Sequence, residues 1–197
     1  MTRLVLATHN PHKVEELRRI LGGRLGDAEL VGYDGPEPAE TGTTFAENAL
    51  IKARAAAAHT GMTAIADDSG IGVRVMGGAP GIFSARWSGP GREATDNLAL
   101  LLWQLTDIPA EHRAASFTCA AAFVDPADGY EHVETAEWTG RILAEPSGAG
   151  GFGYDPIFAP DGVPGSAADL TTEEKDRLSH RAMAFDRLWA AVRTRLA

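Results

Sequence analysis

Asp67-Asp68-Ser69-Gly70 supplies, at one point of the chain, the residue types that oxygen-based chemistry needs. Two adjacent carboxylates beside a hydroxyl and a glycine suit a hard cation held by oxygen ligands, typically Mg²⁺ carrying a phosphate substrate. The same four residues also favour an ordinary turn. Thr63 to Ala66, just before them, reads as a short buried strand that stops on the carboxylates. Strand ends are where open α/β sheets place their ligand chemistry. Neighbouring side chains on a strand point to opposite faces, so Asp67 and Asp68 are not expected to serve one site, and one of them is expected to be structural.

Other polar residues stand at the ends of expected elements: Asn10 and Lys13, Glu40, Asp155, Lys175, His180 and Arg181. Two carboxylates can hold a metal. Two or three cations and a helix N-terminus can hold phosphates, and a glycine-flanked Phe152 can stack on a base. That inventory fits a nucleoside triphosphate site, although spacing alone does not assemble this list; the family resemblance given below does. No Gly-x-x-x-x-Gly-Lys-Ser/Thr occurs, which excludes the P-loop solution. Gly148 to Gly153 matches Gly-x-Gly-x-x-Gly by letter, but it follows Pro146-Ser147 rather than a strand, and Pro156 opposes a helix after it.

The elements that must position these residues can be read from pattern. Arg3 to Ala7 is a strand. Asn10 caps a helix with Pro11 at its first position, Val14, Leu17, Ile20 and Leu21 on its buried face, and Glu15, Glu16, Arg18 and Arg19 on its solvated faces. Lys13 stands in that helix's first turn, beside free backbone N–H groups that can bind an anion, although an ordinary capped helix with a solvated lysine explains the same residues. Leu30 to Tyr33 is a second strand, and Asp34 to Glu40 is loop. Thr44 and Glu47 form a capping box for a helix that Gly61 closes. Ile71 to Val75 reads as a separate strand. Met76 to Gly91 is too long and glycine-rich for a plain connector. Thr95 or Asp96 caps a helix burying Leu98, Leu101, Leu102 and Leu105, with Trp103 also expected in the core. Ala115 to Val124 and Tyr130 to Ile142 flank the turn Asp125 to Gly129 and form a β-hairpin. Gly148 to Gly153 reads as a flexible loop and Ile157 to Ala159 as a short strand. Thr171 and Glu174 cap a short helix. The last helix presents Phe185, Leu188, Trp189, Val192 and Leu196 on one face.

With 197 residues, 44% of them hydrophobic, the chain suits one globular domain, or two lobes sharing a core. The lone cysteine, Cys119, lies in an apolar run and is expected to be a buried hydrophobe, which excludes a disulfide framework and fits an intracellular location. No signal peptide or membrane-spanning run is apparent. A formal net charge of −9 argues against general affinity for nucleic acid or acidic membranes, and leaves room for a small anionic substrate held by a local cationic cluster or a bridging metal.

Six segments in order carry a family resemblance: Thr8 to Glu16, Glu40 to Ala49, Ala66 to Gly70, Gly77 to Gly81 with Ser84-Ala85-Arg86, Gly150 to Pro156, and Glu174-Lys175 with Ser179-His180-Arg181. Together they resemble the inosine triphosphate pyrophosphatase family over almost the whole chain. The resemblance implies an α/β fold: an elongated mixed sheet flanked by helices, in two lobes of one domain over residues 1–197 with no separable linker and the site in the cleft between the lobes. It implies Mg²⁺-dependent hydrolysis of ITP, dITP and XTP to the monophosphate and pyrophosphate by a cytoplasmic homodimer. Thr8, His9, Asn10, Pro11, His12 and Lys13 would bind the phosphates. Glu40 and Asp68 would be the metal carboxylates, with Asp68 also the catalytic proton acceptor, while Asp67 would hold the turn. Ser69 would contact substrate. Phe152, Gly153, Tyr154 and Asp155 would line the base and sugar pocket, and Lys175, His180 and Arg181 would complete it. A donor from His180, Arg181 or a backbone N–H would then meet the 6-keto oxygen of the base. Apart from the resemblance, Arg86 could touch substrate or the partner lobe, and substrate is the expectation. His9 and Ala182 stand where many relatives carry smaller or glycine residues, and Trp87 where tyrosine is common. Two alternatives are a nucleotide-binding module without turnover and a Maf-like pyrophosphatase for other nucleotides. Steady pyrophosphate release from ITP excludes the first, and comparison of ITP with UTP and methylated nucleotides separates the second.

Overall fold

The structure is a computed structural model and describes residues 3–25 and 28–195. Six strands form one mixed sheet in the order β2-β1-β3-β4-β5-β6. They are β1 (Arg3–Leu6), β2 (Glu29–Gly32), β3 (Thr63–Val73), β4 (Ala114–Asp125), β5 (Tyr130–Ile142) and β6 (Phe158–Pro160). β1 pairs in parallel with β2 and with β3, whereas β5 and β6 are antiparallel. The helices are α1 (Pro11–Gly22), α2 (Phe45–Thr60), α3 (Ala94–Gln104), α4 (Thr172–Leu178) and α5 (His180–Val192). The chain divides into two compact units. The first comprises Met1–Asp68, Cys119–Ala136 and Arg181–Ala197, and the second Ser69–Thr118 and Glu137–His180.

In the first unit the two-residue period of the strands sorts the core onto two faces. Leu4 and Leu6 of β1, Ile65 of β3, and Cys119, Ala121 and Phe123 of β4 pack with Leu17, Ile20 and Leu21 of α1 and Phe185, Leu188 and Val192 of α5. The alternate residues, Val5, Ala7, Ala64, Ala66, Ala120, Ala122 and Val124, pack against Ala49, Ala53, Ala56 and Ala57 of α2. Alanine on both sides lets α2 lie close to the sheet. Gly61 ends α2 at φ +68°, a left-handed C-cap, and its N–H returns to the Ala57 carbonyl at 2.8 Å. The β4–β5 turn is closed by Asp125 Oδ1, which accepts from Ala127 N, and Asp128 Oδ1, which accepts from Tyr130 N, each at 3.0 Å.

Several expectations need correction. β3 does not stop at the carboxylates but continues through Ser69 and Gly70 to Val73. The turn-forming residues lie within a strand that neighbours β4 in the sheet, and just beyond them Ile71 N donates to Ser84 Oγ at 2.9 Å and Gly72 bridges to Pro80. Val75 then lies in a 3₁₀ turn and is exposed. α3 begins after Glu93 with no side-chain cap, so Thr95 and Asp96 are inside its first turn. Trp103 is 73% exposed. α3 buries Leu101, and the residue two positions on lies toward the opposite side of a 3.6-residue helix; Leu105, just past the helix end, is also buried. Trp189 is half-buried against the first core face, and Leu196 lies outside the described residues.

Candidate active site

Three parallel strands, β2, β1 and β3, release their C-terminal segments on the same edge of the first unit. That is the edge on which open α/β sheets carry ligands. The segment after β1 is Thr8 to Lys13, and Glu40 lies in the segment after β2. β1 pairs with β3 only as far as Ile65, with one further bond from Ala7 N to Ile65 O. Asp67 and Asp68 follow directly. The carboxylates therefore reach this edge because β1 ends, not because β3 does.

Strand alternation sends the two carboxylates to different partners. Asp68 follows Ala66 onto the α2 face. There Lys52 Nζ donates to Asp68 Oδ1 at 2.7 Å and to Glu40 Oε1 at 3.1 Å. Asn48 Nδ2 donates to Asp68 Oδ2 at 3.4 Å, and Asn48 Oδ1 accepts from Gly42 N at 2.9 Å. A Cβ at position 42 would stand 2.6 Å from that oxygen, so this approach requires glycine. The capping box fixes the rest of the Glu40 loop: Glu47 N donates to Thr44 Oγ1 at 3.1 Å, and Thr43 N and Thr44 N donate to Glu47 Oε2 at 2.6 and 3.2 Å. Burial pushes the Asp68 carboxyl above its ordinary range; Lys52 and Lys13 pull it back, and Glu40 pushes it up again. Burial also disfavours the charged Lys52 ammonium, but Asp68, Asp67 and Glu40 outweigh it and hold Lys52 protonated.

Asp67 turns to the face of α1 and α5. Lys13 Nζ donates to its Oδ2 at 2.9 Å and Arg181 Nε at 3.3 Å, and Arg181 Nη1 is also paired with Glu16. Glu16 and Arg181 are each only 2% exposed. Glu16 is thus not the solvated helix residue expected from its type; it neutralises an arginine on the buried side of α1. Of the two readings of the helix N-terminus, the structure shows the capped one. Asn10 Oδ1 accepts from His12 N at 3.0 Å and Lys13 N at 3.4 Å, Val14 N donates to Asn10 O, and Pro11 has no N–H. Asn10 N donates to Thr8 Oγ1 at 3.2 Å. The exposed His9 ring stacks on Tyr33 with centroids 5.5 Å apart and planes 4° from parallel.

The second unit carries the remaining candidates. Half-buried Ser69 is inside β3 rather than in a turn. Asp155 Oδ2 accepts from Phe152 N and from Lys175 Nζ, both at 2.7 Å, and Lys175 Nζ lies 4.7 Å from the centroid of the Phe152 ring. Gly151 adopts φ +69°, and a Cβ there would lie 2.2 Å from the Asp155 carboxylate. Gly153 is also left-handed, at φ +62°. Tyr154 is buried and donates its hydroxyl to the Ser84 carbonyl at 2.8 Å; burial pushes that hydroxyl's pKa up. The buried His180 ring stacks on Phe117, with centroids 4.7 Å apart and planes 8° from parallel. Arg86 lies over the Phe83 ring, and Ala182 is buried in the first unit's core.

The first unit thus joins Glu40 and Asp68 through Lys52, and Lys13 and Arg181 through Asp67. The second joins Phe152, Asp155 and Lys175. Sequence reading missed Lys52, Asn48 and Glu16 as parts of these clusters. Asn48 and Lys52 did leave a signal, since they are four residues apart on the helix face that otherwise buries alanine. Among the described residues, no group of three or more His, Cys, Asp or Glu side chains is arranged to hold a metal. Two carboxylates gathered on one cationic centre do fit Mg²⁺, which binds through one or two carboxylates, water and substrate phosphates rather than a full protein cage. Among the described residues, no helix is long and apolar enough to cross a membrane.

The chain is similar to known proteins over nearly its whole length. Residues 4–191 match the model of the Ham1 family. A dITP/XTP pyrophosphatase of Leifsonia xyli subsp. xyli is 57% identical over 94% of this chain and 92% of its own length. One of Streptomyces coelicolor is 52% identical over 98% of each chain. The structure of a HAM1 protein from Coxiella burnetii superposes with a TM-score of 0.88 at 35% identity, covering 98% of this chain and all of that one.

Proposed function

The chain belongs to the Ham1 family, and on that footing we propose that it is a nucleoside triphosphate pyrophosphohydrolase acting on the non-canonical purine nucleotides ITP, dITP and XTP. It cleaves them to the monophosphate and pyrophosphate and so removes them from the nucleotide pool. The observation that carries this reading is the convergence of Asp68 and Glu40 on Lys52 at the C-terminal edge of the parallel strands.

Water adds across the phosphoanhydride link between the α and β phosphates, and its proton must leave. Asp68 accepts that proton, since a buried carboxylate with a raised pKa is a better base than a solvated one. Lys52 keeps Asp68 ionised and oriented between turnovers and supplies positive charge next to the developing anion. Glu40 and Asp68 would hold Mg²⁺, which when bound neutralises phosphate charge and acidifies water. Thr8 to Lys13 form the phosphate-binding segment, with Lys13 exchanging part of its pairing to Asp67 for substrate. Ser69 contacts substrate. Phe152 to Asp155, Lys175, His180 and Arg181 form the base and sugar side. Buried donors toward a 6-keto oxygen are left opposed by a 6-amino group, and sites built this way discriminate by roughly 10⁴–10⁵. The enzyme works as a cytoplasmic homodimer, for which light scattering after size exclusion would give twice the chain mass.

Pyrophosphate release from ITP and ATP, each with Mg²⁺ and with EDTA, tests the reading. Fast release from ITP with Mg²⁺ and little from ATP supports it. Release unaffected by EDTA removes the metal, equal release from both nucleotides removes the base selectivity, and binding of ITP without release leaves only a binding module.

A further inference from the structure

We propose that Asp169 is a positioning residue for the base-binding site, locking the glycine-rich loop that presents Phe152. This rests on the reading above that Phe152 faces the purine base. By composition the loop from Gly148 to Gly153 should be floppy, yet it is tied at both ends. At its far end Asp155 Oδ2 holds Phe152 N and Lys175 Nζ, and Lys175 covers the Phe152 ring. At its near end one oxygen of Asp169 accepts from Ser147 Oγ and from Ser166 N, both at 2.8 Å. Ser166, fully buried, returns its hydroxyl to the Ser147 carbonyl at 2.7 Å and accepts from Ala168 N at 3.1 Å. Gly150 N then donates to the Ala168 carbonyl at 2.9 Å. Gly148, at φ +77°, lies so close to this segment that a Cβ would stand 2.4 Å from the Ala168 carbonyl carbon.

The stretch from Ser166 to Lys175 therefore splints the loop. Asp169 grips its entry and Lys175, six positions on, grips its exit. Asp169 is itself exposed and acts through Ser147 and Ser166. A splinted loop presents Phe152 already ordered, so its effect falls on substrate binding rather than on phosphate chemistry.

The test is steady-state ITP hydrolysis by the wild type, Asp169→Ala, Asp169→Asn, Phe152→Ala and the Asp169→Ala/Phe152→Ala double variant. Asp169→Ala is expected to raise KM about tenfold with kcat within about twofold. Asp169→Asn keeps an acceptor oxygen for both donors and should recover most of the loss. The double variant should be no worse than Phe152→Ala by more than about twofold, because the two residues act as one device. Should Asp169→Ala fail to fold, Ser147→Ala, which removes only one bond, should still raise KM about threefold with kcat retained. An unchanged KM in Asp169→Ala, a matching fall in kcat, or multiplicative losses in the double variant would overturn the proposal alone. A wild type inactive on ITP, or an unchanged KM in Phe152→Ala, would overturn the underlying reading and this inference with it.

Discussion

The two faces of β3 receive the same side chain, one residue apart, and put it to different uses. On the α1 and α5 side, Asp67 is enclosed with Lys13, Arg181 and Glu16, two carboxylates against two cations. On the α2 side, Asp68 shares the single ammonium of Lys52 with Glu40. The first set pairs two carboxylates with two cations, and Asp67 serves in it to hold Lys13 and Arg181 in place. The second has an excess of negative charge at the edge where parallel strands end, so it can take up a further cation and a proton. Residue type does not separate the two aspartates; strand parity and the helix that each face meets do.

Substitutions can break that contrast. The largest effect belongs to Asp68→Asn, which should lower kcat on ITP at least about a hundredfold while calorimetry still detects nucleotide binding. A variant keeping more than about a tenth of the rate would remove Asp68 as the base. On the opposite face the expected loss is in stability. Arg181→Met leaves Asp67 and Glu16 buried without their shared cation and should cost about 3–5 kcal/mol, read as a lower urea midpoint at unchanged slope. An unchanged midpoint would mean that the buried ion pairs hold nothing together. Lys52→Met should cost about tenfold in kcat/KM and shift its pH dependence. Asp68 must be ionised to accept a proton, so activity is lost as pH falls through its pKa. Burial raises that pKa and Lys52 lowers it, so removing Lys52 should move the acid limb to higher pH. A limb that stays in place would detach Lys52 from Asp68. The smallest effect is that of Thr44→Ala, which loses the cap on the Glu40 loop and should cost about 1 kcal/mol of stability in thermal unfolding. No change would show that Asn48 holds that loop unaided.

Local patterns gave much of this away in the sequence. Both capping boxes, the Asn10 cap, the β4–β5 turn and the opposed directions of Asp67 and Asp68 rest on spacings of one to four residues. What stayed hidden depended on distant chain. Glu16 looks like any charged helix residue until Arg181, 165 positions away, arrives on its side of α1. Ser69 and Gly70 look like a turn until β3 is set beside β4 in the sheet, more than 40 positions on. The loop at Gly148 to Gly153 looks flexible because its restraints sit in Asp155, Ser166 and Asp169, none of which shares a periodic pattern with it. The list of candidate site residues came from the six family segments, because residue spacing alone does not single them out.

The most direct test is the rate of pyrophosphate release from ITP by Asp67→Asn and Asp68→Asn, measured in parallel with their melting temperatures. The expected result is a division: Asp68→Asn stays folded and loses turnover, whereas Asp67→Asn melts earlier but keeps kcat within about tenfold of the wild type. Equal loss of kcat in two equally stable variants would contradict the assignment of Asp67 to structure and Asp68 to chemistry.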